Sequence, residues 1–299
     1  FQSLVFNDPI KDLLGWLNNP EDKRRQWDDN KWSLFSNTCS SQFGYEPTDA
    51  NYSQMLASLL SAQGAWQEVW QRFEDTAHNL SGLILVLRDV TPDLAADLSH
   101  YPIENTRDEK SLADALAGLP QLDVNKVRGT ICSLYQQNKE RERWLWYRLG
   151  ESIYLEILSL LAKVAELTQQ VFNHQSPEEM AELYQECFWQ VDAAALQAMA
   201  LAKEPGQQEL VANVLKIIYS PWLNEVSLNF QQLVKRKGYP GNTEIKEATA
   251  TYQVKGMVVF FVDGLRFDCA KVLERKLTAR HLIIDTKTQW SALPSLTDT

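Results

Sequence analysis

The 299-residue sequence lacks any apolar run approaching the roughly twenty residues that a membrane-spanning helix requires, so a protein without membrane contact is expected, in the cytoplasm. It also lacks an excess of positive charge: 29 lysines and arginines face 39 aspartates and glutamates, for a formal net charge of −10. That balance excludes a broadly basic nucleic-acid surface, though not a local patch. Cysteines are few and scattered. Cys39, Cys132, Cys187 and Cys269 form no Cys-x-x-Cys pair, which argues against a zinc or dithiol motif and predicts buried thiols in a reducing compartment. The four histidines, His78, His100, His174 and His281, have no ligand-like spacing. No internal repeat or low-complexity tract stands out, and no signal-type segment opens the chain. Its first residue is Phe1 rather than Met, and the N-terminus is expected to be internal to a longer product.

What is present begins with helix signals. Hydrophobic residues make up 44% and charged residues 23%, the proportions of an ordinary globular protein. Ten tryptophans are many for this length; Trp16, Trp27, Trp32, Trp66 and Trp70 cluster early, then Trp144 and Trp146. Asp8 followed by Pro9 predicts a capped helix through Ile10, Leu13, Leu14 and Leu17. From Asp49, the positions Tyr52, Met55, Leu56, Leu59 and Leu60 recur at helical spacing, and Trp66, Val69, Trp70 and Phe73 resume it after a break near Gly64. Such an aromatic stripe reads as core. Periodicity leaves Leu83–Leu87 open between a strand and a buried helix.

The polar stretch from Glu104 to Lys110, with Pro92 and Pro102 before it, reads as a loop and a subdomain boundary. Helical patterns then dominate from Ser111 to Lys237, with one long amphipathic run over Trp144–Val171. Ser176-Pro-Glu-Glu predicts a helix start with a capping box closed by Glu179. Pro205-Gly206 reads as a helix end, Pro221 as a kink or restart, and Lys235-Arg-Lys before Gly238 as a C-terminus with cations against the dipole. The expected organisation is a helical subdomain at 1–105, a second at 106–238, a linker at 239–254 and an α/β segment at 255–299.

That last segment carries the chemistry. Met257-Val-Val-Phe-Phe-Val has the composition of a strand buried on both faces, and Asp263-Gly264 ends it. Phe267–Leu277 reads as a helix and His281–Asp285 as a second strand, together a βαβ unit. The expected fold class is therefore a mostly α N-terminal region followed by the first βαβ unit of an α/β domain. Two parallel strands cannot cover themselves, so the remainder of that domain is expected beyond Thr299. Asp263 at the carboxyl end of the first strand and Ser295 or Thr297 after the second would meet at one sheet edge. A carboxylate there can hold a divalent cation, and a hydroxyl beside it can lose its proton, an arrangement suited to phosphoryl transfer. On spacing alone, Asp-Gly after a strand and Ser or Thr at a cap are also ordinary structural features.

Val262-Asp-Gly-Leu-Arg-Phe-Asp followed by Leu293-Pro-Ser-Leu-Thr resembles the opening motifs of the PglZ domain, a branch of the alkaline phosphatase superfamily. Upstream, Trp66-Gln-Glu-Val-Trp-Gln-Arg-Phe is similar to a segment of the longer PglZ proteins of BREX-type phage-defence systems. The resemblance implies a metal-dependent phosphatase or phosphodiesterase with two zinc-like ions. It implies Asp263 as a metal ligand and Thr297 as metal-bound nucleophile, with Ser295 its nearest rival, and a phosphate contact for Arg266. An ion pair between Arg266 and Asp268 is the plainer reading of that arginine. The resemblance also implies other proteins of a defence complex as partners, and nucleic acid reached through parts outside this chain. Further ligands would lie beyond Thr299; Asp285 and Asp298, the nearby carboxylates, read as surface or cap residues. The alternative is a helical interaction scaffold whose α/β part is not catalytic.

Overall fold

The computed structural model describes residues 8–94, 96–169, 175–242 and 264–288, together with positions 256, 258, 260, 262 and 290. Asp263, Ser295 and Thr297 lie outside the described residues. Every regular element among those described is helical. The chain divides into two compact units, Phe1–Ala115 with Gln137–Leu155, and Leu116–Gln136 with Glu156–Thr299.

The first unit is built from α1 (Pro9–Asn18), α2 (Pro20–Gln26), α3 (Asp29–Phe43), α4 (Asp49–Ser61), α5 (Trp66–Thr76), α6 (Ser81–Leu87) and the first part of α7 (Pro102–Gly118). Asp8 caps α1, its carboxylate accepting from the Lys11 amide at 3.0 Å, with Pro9 in the first turn. The tryptophan stripe is core: Trp16, Trp66 and Trp70 are buried with Leu13, Leu17, Phe35, Met55, Leu59 and Phe73. Trp66 finds an acceptor for its polar edge, Nε1 donating to the Phe43 carbonyl at 3.1 Å.

Leu83–Leu87 resolves as helix. Leu83 and Leu87, four apart, are fully buried while Leu85 between them is 62% exposed, a helical face and not a strand alternation. The helix start approaches α1 so closely that a Cβ on Gly82 would lie 2.4 Å from the Asn18 carbonyl oxygen. Glu104–Lys110 is not a loop either; it belongs to α7. Asn105 and Glu109 face inward onto Arg141, whose Nη2 donates to Asn105 Oδ1 at 2.8 Å and Glu109 Oε1 at 3.0 Å, while Thr106, Arg107 and Lys110 are exposed. Glu109 also accepts from the Tyr154 amide at 2.6 Å, and Ser152 donates to Asn105 at 2.9 Å.

The second unit takes in α8 (Val124–Asn138) from its start to Gln136, then α10 (Ile153–Leu167) from Glu156, α11 (Pro177–Leu183), α12 (Trp189–Leu201), α13 (Pro205–Ile218), α14 (Ser220–Lys237) and α15 (Phe267–Thr278). The long run expected over Trp144–Val171 is broken: α9 (Leu145–Arg148) is a single turn, and Gly150 turns the chain at φ +76° before α10. Ser176 caps α11 through the Glu179 amide at 3.2 Å; the Glu179 carboxylate returns to the amide of Gln175, one residue before the cap. Pro205 opens α13 where a helix end was expected, because proline fits the first turn, where its missing N–H costs nothing. Pro221 likewise sits in the first turn of α14, which ends on Lys235, Arg236 and Lys237 before Gly238 at φ +90°.

The βαβ unit expected after residue 255 is corrected. Its crossover helix is present as α15, but no strand occurs among the described residues. Val258, Phe260 and Val262 are 74%, 86% and 57% exposed, and Leu282 and Ile283 are 53% and 103% exposed. A strand exists only through its hydrogen-bonded neighbours, and a parallel pair needs further strands and covering helices. Composition alone identified the apolar run; it could not supply the sheet. The cysteines also differ from expectation: all four are free thiols, but only Cys39 is buried, and Cys269 on α15 is exposed. Burial pushes the Cys39 thiol up to about 12.

Candidate functional site

The most developed polar site of the second unit lies where α15 meets α12. Between α11 and α12 the backbone forms one π-helical turn, Tyr184–Phe188. Such turns rotate side chains out of register with the flanking helix. Here the tyrosine at its start faces Asp192, one helical stretch further on. Tyr184 Oη donates to Asp192 Oδ2 at 2.6 Å, and Tyr219, the C-cap of α13, donates to Oδ1 at 2.8 Å. Asp192 sits in an otherwise apolar stretch of α12, beside buried Val191, Ala193, Ala194 and Ala195.

Two neutral donors do not offset a buried negative charge, and the counter-ion comes from α15. Arg266, the N-cap of that helix, places Nη2 3.6 Å from Asp192 Oδ2. Its Nε donates to Asp268 Oδ1 at 2.9 Å. One guanidinium thus spans two carboxylates whose side chains are only 10% and 3% exposed. The hydrogen bond to Asp268 is the main reason that the Arg266 pKa is raised. Burial, followed by the bond to Asp192, pushes both tyrosine hydroxyls well above their usual range. Around this centre the helix is held by rings: Phe267 lies tilted against Tyr184 at 5.8 Å, and Arg275 stands over the Trp189 ring at 4.7 Å.

Beside the cluster runs a groove of about 760 Å³, walled by Met180, Tyr184, Val226, Phe230, Phe267 and Trp290. Trp290 stacks parallel on Phe230 at 6.1 Å, and Thr288 donates to Gln185 at 2.7 Å, so the residues after α15 fold back over α11 and α14.

Of the site residues read from the sequence, the structure thus places Arg266 and leaves Asp263, Ser295 and Thr297 outside the described residues. Arg266 is engaged by carboxylates, which is the plainer of its two readings. Asp285 is a surface residue 3.6 Å from Lys287, and Asp298 is outside the described residues. No group of three His, Cys, Asp or Glu side chains that could hold a metal gathers among the described residues. Asp268, the acid nearest the motif, is enclosed and spent on Arg266. Sequence reasoning missed Asp192, Tyr184 and Tyr219; the available signal was a lone aspartate inside Val191-Asp-Ala-Ala-Ala-Leu, a place where an acid needs partners.

No family model matches the chain, and neither the curated proteins nor the solved structures with which it was compared include a match. Among the described residues no helix is long and apolar enough to cross a membrane.

Proposed function

We propose that the protein is a metal-dependent phosphatase or phosphodiesterase of the PglZ kind, working with other proteins of a BREX-type defence assembly. The observation that supports this reading is the treatment of the motif around Asp263. Arg266 and Asp268, three and five residues after it, are tied to the helical body by an ionic anchor on Asp192. A reactive carboxylate needs its neighbours held, since small displacements of a catalytic group cost rate steeply. In this reading Asp263 is a metal ligand and Thr297 the nucleophile, with Ser295 the alternative hydroxyl. The ions would be divalent and zinc-like, and a phosphodiester in nucleic acid is the substrate class. The test is hydrolysis of an aryl phosphodiester and an aryl phosphomonoester by the full-length protein, including any part beyond Thr299, with and without added zinc, manganese or magnesium; residues 1–299 alone are expected to be inactive. Metal-dependent turnover that disappears in Asp263→Ala supports the reading, and its absence under all metals rejects it.

A second reading, a helical interaction scaffold, is favoured by a different observation. Val258, Phe260, Val262 and Ile283 expose large apolar side chains. Exposed apolar surface of this kind is characteristic of interaction sites. A protein inert under every metal but bound stably to a partner through the segment after Gly256 would establish this alternative.

A further inference from the structure

We propose that Asp192 is a positioning residue for the turn at Gly264–Leu265, acting through Arg266; as a statement about catalysis this rests on the phosphohydrolase reading above. Three features carry it. First, Arg266 and Asp268 would satisfy each other without help, so a local pair alone does not explain Asp192. Yet Asp192 is placed in the middle of α12, 7% exposed, with tyrosines from two different elements turned onto its two oxygens. The tyrosines fill one acceptor site on each oxygen and fix the carboxylate plane. What remains is a negative charge facing α15, and Arg266 Nη2 is the cation that meets it at 3.6 Å.

Second, the anchor acts at the start of α15. Arg266 is the N-cap, and its carbonyl accepts the Ala270 amide at 2.9 Å. Pinning its side chain to α12 therefore fixes where the helix begins. Gly264, two residues earlier, has φ +64°, a conformation glycine adopts without strain. A fixed N-cap two residues on limits the path of the chain at Gly264, and Asp263 is its covalent neighbour.

Third, α15 is held further along by Arg275 over the Trp189 ring at 4.7 Å, and in its first turn by Phe267 against Tyr184 at 5.8 Å. Beside that ring contact, the Asp192–Arg266–Asp268 chain is the polar attachment of the N-terminal turn.

The experiment compares the native protein with Asp192→Asn, Arg266→Gln, the double variant and Arg275→Gln as a control on helix attachment. Amide exchange is followed across residues 264–278, and hydrolysis in the presence of added metal is measured alongside. Asp192→Asn should speed exchange by about tenfold or more over residues 266–270, with a smaller change toward Thr278, as local opening of one turn would. It should lower kcat by about tenfold with KM nearly unchanged, the signature of a misplaced group rather than of weakened substrate binding. Arg266→Gln should do the same, and the double variant should be no worse than either single one, because both remove one interaction. Arg275→Gln should raise exchange toward Thr278 while sparing kcat. Unchanged exchange over residues 266–270 in Asp192→Asn overturns the proposal whatever the activity does. Faster exchange with unaltered kcat in an active protein overturns the positioning role. A full-length wild-type protein inert under every metal rejects the phosphohydrolase reading, and with it the positioning role in catalysis.

Discussion

Arg141 Nη2 and Glu109 Oε1 meet at 3.0 Å with side-chain exposures of only 6% and 10%. The pair belongs to the first unit, where it joins α7 to the short 3₁₀ segment Lys139–Arg143 and, through the Tyr154 amide, to the start of α10. Removing one member of a buried pair strands the other charge away from water. Glu109→Ala is therefore expected to lower stability by about 3–5 kcal/mol, read as a shift in the urea midpoint. A loss of under about 1 kcal/mol, the scale of an exposed pair, would show that water reaches Arg141 and that the network is not closed.

Asp8 provides a pH-dependent test of the α1 cap. The Lys11 amide, and after it Arg72 at 2.9 Å, hold its carboxyl below the usual aspartate range. A depressed folded pKa contributes stability that is present above the unfolded value and lost as pH falls through the folded one. Asp8→Ala should therefore cost about 0.5–2 kcal/mol near neutrality, the usual worth of an N-cap. The gap from wild type should shrink as pH drops below the ordinary aspartate range, near 4. Thermal unfolding of both proteins across acid pH checks it, and a gap that persists at the lowest pH would remove the charge from the explanation.

The tyrosine pair on Asp192 predicts the opposite limb. Burial and the bonded carboxylate raise both hydroxyl pKa values in the folded protein. For a raised pKa the stability is present below the unfolded value, about 10 for tyrosine, and is lost as pH climbs through the folded one. The native protein should thus lose stability steeply in alkali, and Tyr184→Phe with Tyr219→Phe should flatten that fall. At neutral pH each single change leaves one Asp192 oxygen short of a donor and should cost about 1–3 kcal/mol. Tyrosinate absorbance provides a second readout: two hydroxyls should ionise only as the second unit unfolds.

Local chemistry was legible in the sequence, and distant partnership was not. Asp8 with Pro9, Ser176 with Pro177, and Gly238 after its basic triplet mark helix ends because a cap is made within a few residues of itself. Glu104–Lys110 reads as a loop because its buried polar residues Asn105 and Glu109 find their partner at Arg141, more than thirty positions on. Leu83–Leu87 became a helix through packing that only the folded chain possesses. The apolar run after Gly256 was read as a strand from composition, but strands are defined by neighbours, and none pairs with it among the described residues. Of the candidate site, Arg266 with Asp268 could be read locally. Asp192 could not, since its partners come from residues 184, 219 and 266.

The choice of nucleophile is the sharpest test of the functional reading. Pro294-Ser-Leu-Thr offers two hydroxyls two residues apart, Ser295 and Thr297. An alcohol is a poor nucleophile at its ordinary pKa, so only the one aligned with an activating group contributes to turnover. The resemblance assigns that role to Thr297. Thr297→Ala should then reduce metal-dependent hydrolysis to the uncatalysed background, whereas Ser295→Ala should retain most of it. Thr297→Ser, which restores a hydroxyl without the methyl, should recover part of the loss; a variant defective only in folding would not respond to the hydroxyl in this way. The measurement is kcat for an aryl phosphodiester, with the circular dichroism of each variant taken alongside. Full activity in Thr297→Ala together with loss in Ser295→Ala would move the role to Ser295. Full activity in both would remove both hydroxyls from the chemistry and reject this segment as the source of the nucleophile.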